Sequence, residues 1–196
     1  MSGVVQLARI HVQGTNYTTF TTSKSMLGSS TATESAAGIQ PIWPGALIRG
    51  SIIRIRFKAS ISSVSGNTMI ISVMLGSTAI FTSDTLKVST TTGTLQSAHG
   101  EIDLVCQSTG SGTLAKTMGN GIIVGKMIYP PGSTPGADYA AGGGSSVLLA
   151  TAAQGTGFDS TIQNALDFNV TMGTSAAGNG WRMDQFDADL AGPLGP

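Results

Sequence analysis

Charge is what this chain has least of. Only 10% of its 196 residues are Asp, Glu, Lys or Arg, against roughly 25% in an average soluble domain. Ten acidic residues cancel ten basic ones, so no net field draws the chain toward DNA, RNA or an anionic membrane, and neither nucleic acid nor membrane is expected as a partner. There is one cysteine, Cys106, which cannot form an internal disulfide. In register with Ile102 and Leu104, it reads as a buried apolar filler rather than a reactive thiol. Two histidines, His11 and His99, give a Ser-His-Asp hydrolase little choice of base, and no Gly-x-Ser-x-Gly elbow accompanies them. The same scarcity, with no paired acidic loop, leaves no zinc or calcium ligand spacing. No catalytic residue, metal or cofactor is therefore expected. No apolar run approaches eighteen residues, and the opening MSGVVQLARI lacks the basic and apolar regions of a secretory signal. The expectation is a chain made in a cytoplasm and not exported by the classical route.

What fills the space is glycine, 27 residues of it, with serine and threonine at most polar positions. A surface wetted by hydroxyls, with net charge at zero, favours association over mutual repulsion, so the chain reads as built to assemble. Its apolar residues alternate with polar ones. In SIIRIRFKASIS, Ile53, Ile55, Phe57, Ala59 and Ile61 share one face while Arg54, Arg56 and Lys58 share the other, the period of a half-buried strand. TMIISVMLG puts Met69, Ile71, Val73 and Leu75 on one side, with Ile70 and Met74 opposite, as in a central strand or one whose outer face meets another subunit. TAIFTS follows a tight turn, EIDLVC is a clear strand, and 113–129 reads either as one strand broken at Gly119-Asn120-Gly121 or as a hairpin around it. LDFNVTM, GTSAAGNG and WRMDQFDADL read as a closing hairpin. No segment carries a helical stripe, and about eight strands at this spacing imply an all-β antiparallel sandwich. Ile53, Ile55, Phe57, Ile71, Val73, Leu104, Leu166, Phe168 and Val170 are its expected core.

Residues 1–44 are less regular. They read as a partly extended N-terminal arm feeding a sandwich domain over 45–196, with 29–38 a small-residue linker. Leu7, Ile10, Tyr17 and Phe20 are then apolar anchors for another chain; the alternative is an ordinary edge strand of the sandwich. Residues 130–146 hold three prolines and five glycines without periodicity, a long loop of the functional or mobile kind, and its neighbourhood supplies Tyr129 and Tyr139 as further contact candidates.

Two acidic groupings bear on glycoside chemistry, which needs two carboxyls flanking a sugar bond: Asp184, Asp187 and Asp189 in one strand, Glu101 and Asp103 in another. Alternating acids on an exposed strand face ordinarily hold water, and the aromatics of a sugar cleft are missing. The Gly-x-Gly runs at 110–112, 119–121, 142–144 and 155–157 precede no helix, so they cradle no phosphate and read as turn glycines. The acceptor-like triplets at Asn16 and Asn169 read as chance matches, the second lying inside a strand.

Taken in order, the strand at 50–62, the turn Ser65-Gly66-Asn67, the pair in TMIISVMLGSTAIF, EIDLVC with its Gly-Ser-Gly turn, and LDFNVTM to WRMDQFDADL resemble the jelly-roll domain of tailed-bacteriophage virion proteins, over residues 45 to 190. The resemblance implies a jelly-roll winding and a non-enzymatic role as a capsid decoration or cement protein. It further implies a homo-oligomer, a trimer by analogy, bound to the major capsid protein at the virion surface. The alternative function is a glycan or receptor recognition module of a head or tail fibre, which would gather tyrosines and tryptophans at one loop end.

Overall fold

The computed structural model describes residues 2–11, 13–28, 39–63, 67–89, 92–130, 145–155 and 157–193, with the backbone alone at 2, 92–94, 145 and 150–153. The expected linker at 29–38, the turn at 64–66 and most of the long loop, Tyr139 included, lie outside these residues.

Thirteen strands are described: β1 Ser2–Ile10, β2 Tyr17–Thr18, β3 Lys24–Ser25, β4 Ile52–Ser63, β5 Asn67–Leu75, β6 Thr78–Thr82, β7 Leu86–Val88, β8 Thr92–Ser108, β9 Lys116–Gly125, β10 Ile128–Tyr129, β11 Ser145–Gln154, β12 Leu166–Met172 and β13 Gly180–Pro193. They form two antiparallel sheets. A seven-stranded sheet runs β1-β13-β4-β8-β9-β11, with β2 also on β13; a six-stranded sheet runs β10-β7-β5-β12-β3, with β6 also on β5. The expected all-β sandwich is what the chain forms. All nine expected core residues are at most 2% exposed, because a period of two on β4, β5 and β12 gives each strand one apolar face, and the two sheets press those faces together.

At the centre four rings meet across the sheets. Phe57 of β4 lies 4.9 Å from Phe168 of β12, and Phe168 lies 6.4 Å from Trp181 and 5.9 Å from Phe186, both on β13. These contacts explain why the expected closing hairpin is not one. β12 and β13 sit in opposite sheets, β12 on β5 and β13 on β4, so that Phe168 meets Trp181 and Phe186 across the core rather than beside them in one sheet. β4 and β5 likewise lie in different sheets. Two antiparallel pairs, β4 with β13 and β5 with β12, are thus nested one inside the other in sequence.

The N-terminal residues are part of this body. β1 pairs with β13 from Ser2↔Pro193 to Ile10↔Phe186, with a bulge between Gln6 and Ala8. Leu7, Phe20, Met26, Ile39, Ile42, Ala46 and Leu47 are buried in the same core as the strands. Ile42 and Asn164 exchange backbone hydrogen bonds of 2.9 and 3.0 Å. β1 is thus the edge strand of the seven-stranded sheet, as the alternative reading of this segment has it, and the apolar side chains described before residue 45 join the core of the sandwich.

Gly119 and Gly121 are not turn residues. They stand inside β9, which runs unbroken, and the missing side chains make room for neighbours: a Cβ on Gly119 would strike the Leu104 side chain, and one on Gly121 would come within 2.8 Å of the Glu101 carbonyl and 3.0 Å of Leu149. Gly112, with φ of 67°, does serve a turn.

Candidate functional site

β4 presents Arg54, Arg56 and Lys58 outward because Ile53, Ile55, Phe57 and Ala59 are needed inside. Its neighbours on the seven-stranded sheet present acids at the same levels. Arg54 stands between Asp189 of β13 and Asp103 of β8, and Arg56 between Asp187 and Glu101. Arg9 of β1 continues the second row beside Asp187. Charge therefore alternates from strand to strand: positive on β1, negative on β13, positive on β4, negative on β8. With Arg182 and Asp184 at the far end of β13, five of the ten basic residues and five of the ten acidic ones share this one outer face of a charge-poor chain.

Cross-strand pairing holds most of them. Arg54 Nε lies 3.0 Å from Asp103, Arg56 Nε 3.3 Å from Glu101 and Arg9 Nε 3.8 Å from Asp187, while Arg182 Nε lies 2.7 Å from Asp184 of its own strand. Asp184 also accepts from Ser60 Oγ, and Asp187 from Gln185 Nε2 at 2.6 Å, with His11 Nε2 at 3.0 Å. Asp189 makes no ion pair among the described residues.

One level along the strands, the charges stop. Val4, Ala191, Ile52, Val105 and Met118 are successive cross-strand partners, forming an apolar row over five strands. Its ends are open, Val4 at 70% exposure and Met118 at 40%. Ile122 and Leu148, directly paired and also exposed, carry the apolar border down the β9 and β11 side. The two borders enclose the charge stripes at a corner, where Glu101, Asp103, Asn120, Gly121, Ile122 and Leu148 line a depression of about 210 Å³. That is smaller than the usual small-molecule site, and both of its carboxylates are paired with arginines of β4.

Elsewhere the titratable groups serve the fold. Burial pushes the Cys106 thiol up, partly offset by its contact with the Ser108 carbonyl, so it is a poor thiolate source. Asp159 is held below the usual carboxylate range by the Thr161 hydroxyl and the Gly112 and Thr161 amides, and it pins the turn at Gly112 to the segment before β12. Asp167 is pushed up by burial, against the pull of the Ser25 hydroxyl and the Phe168 amide. Among the described residues no three His, Cys, Asp or Glu gather as metal ligands, and no helix is long and apolar enough to cross a membrane.

The expected contact residues fare differently. Leu7, Phe20 and Tyr129 are buried within the subunit at 1%, 8% and 3% exposure. Ile10 and Tyr17 are partly buried against the same core, and Tyr17 carries the Lys24 ammonium 4.7 Å above its ring. None of the five described candidates falls on the apolar row. Of the residues expected to make the outer face of β5 sticky, Ile70 and Met74 are half-buried on the six-stranded sheet beside Thr171 and Asp167. The charge stripes escape a reading by sequence because the acids of β8 and β13, each seen alone, suit a wet strand face; only register sets them against the arginines of β4. No protein-family model and no curated protein matches this chain.

Proposed function

We propose that this chain is a non-enzymatic structural protein of a bacteriophage virion, a decoration or cement protein that associates with itself and with the major capsid protein on the head surface. The observation that carries this reading is the outer face of the seven-stranded sheet, where an exposed apolar row borders charges of both signs. Such a face suits a broad protein partner better than a small substrate: apolar rows supply affinity, and paired charges of mixed sign supply register. The nested pairing of β4 with β13 and β5 with β12 is what a jelly-roll winding requires, which adds to the resemblance in strand order. The glycan-binding alternative has less in its favour, since Phe57, Phe168, Trp181, Phe186 and Tyr129 are all spent on the interior.

The test is co-sedimentation of the purified protein with empty phage heads, followed by heating of the decorated shells. Saturable binding and a raised temperature of shell disruption are expected. Absence of binding to shells of any tailed phage offered, together with retention on a glycan array, would transfer the chain to the recognition class.

A further inference from the structure

The alternation of charge on the seven-stranded sheet has a symmetry property. We propose that its outer face binds a second copy of this chain about a two-fold axis that runs along the strands between β13 and β4. A half-turn about that axis keeps every row at its own level while exchanging β13 with β4 and β1 with β8. Asp189 then faces Arg54 of the second copy, Asp187 faces Arg56, and Arg9 faces Glu101. In the adjoining row Ala191 meets Ile52 and Val4 meets Val105. Each stripe lands on its opposite and the apolar row lands on itself, as an isologous contact requires. The strands of the two copies run in the same direction, the aligned arrangement in which sheets pack face to face at about 30°.

Other occupants fit this surface less well. A nucleic acid or an anionic membrane would be repelled by Asp187, Asp189, Glu101 and Asp103 as strongly as it is drawn by Arg54, Arg56 and Arg9. A small polar ligand has no use for an apolar row five strands wide. Asp189, without an ion-pair partner among the described residues of its own subunit, acquires one in the second copy. Desolvating the existing pairs offsets much of what the new ones contribute, so the apolar row supplies the affinity while the charges fix the register and exclude shifts by one strand, which would set like against like.

The contact stands on the sheet's charge pattern and does not depend on the virion reading; a protein that pairs but ignores capsids keeps the one and loses the other. Light scattering of the full chain at micromolar concentration should give a species of twice the 19.8 kDa monomer. Asp189→Arg and Arg54→Glu should each be monomeric where the parent is paired, and mixing the two should restore a dimer, because each then meets its opposite across the axis. This rescue in trans separates the contact from any effect within one subunit. Val4→Glu, at a position 70% exposed in the single chain, should weaken pairing roughly tenfold or more and decides the matter if Arg54→Glu fails to fold. A parent chain that stays monomeric, a trimer, variants that pair as well as the parent, or a mixture that stays monomeric would each overturn the proposal.

Discussion

Phe168 reaches Phe57, Trp181 and Phe186 from the opposite sheet, so its ring is where the two sheets are joined. Phe168→Ala or Phe57→Ala leaves a cavity between sheets that cannot close without shifting both, at a cost of about 3–5 kcal/mol. Urea denaturation followed by tryptophan fluorescence measures it directly. Asp167 acts in the other direction. Its folded carboxyl titrates above its unfolded one because burial penalises the charge, so the stability it contributes is fully present below the unfolded value near pH 4 and is lost as pH rises through the folded one. Asp167→Asn keeps an oxygen to accept from Ser25 Oγ, which bonds it at 2.7 Å, and discards the charge. The variant should melt at or above the parent temperature at pH 7, and the fall in stability between pH 4 and pH 7 should be smaller than in the parent. A lower melting point at pH 7 would mean that the Ser25 bond needs the carboxylate.

At the scale of elements, β1 is the piece whose role changes most between sequence and structure. Removing residues 1–44 strips β13 of a neighbour it pairs with over most of β1 and takes Leu7, Phe20, Met26, Ile39 and Ile42 out of the core. The truncated protein should lose cooperative thermal unfolding and bind a hydrophobic dye. A sharp melt near the parent temperature would restore the free-arm reading. The strands themselves were legible where alternation was clean: β4, β5, β8 and β12 follow from Ile53-Ile55-Phe57, Met69-Ile71-Val73, Ile102-Leu104-Cys106 and Leu166-Phe168-Val170. Sheet membership was not. Alternation says which side of a strand is buried but not which strand lies next to it, so β12 and β13, seven residues apart and each with a turn-like link, read as a hairpin when they are an arch across the core. Residues 1–44 were hard to read for a related reason: Leu7, Phe20 and Ile42 are too widely spaced to show a period, and β1 and Ile42 pair with residues more than 100 positions away.

The whole molecule divides its labour between two outer faces. The seven-stranded sheet carries half the charge of the chain, while the outer face of β5 and β12 shows Thr68, Ile70, Ser72, Asn169 and Thr171, without a stripe of either sign. Association through the charged face should weaken, and its rate should fall, as salt is raised from 50 to 500 mM, because opposed stripes guide the encounter; stopped-flow mixing of labelled protein measures this, and an unchanged rate would leave the apolar row acting alone. The order of strands also sets a timetable for biosynthesis. β13 is the latest of the described strands to be made, yet it lies between β1 and β4, and β5 must likewise wait for β12. Until residues 180–193 are free of the ribosome, β4 offers a bare row of amides and carbonyls along its length, the kind of template on which chains from neighbouring ribosomes join. A fragment ending at residue 179 should therefore collect in inclusion bodies, and a synthetic peptide of 180–193 supplied during refolding should keep it dispersed by filling the gap from outside. The sandwich is a lock whose key is cut last.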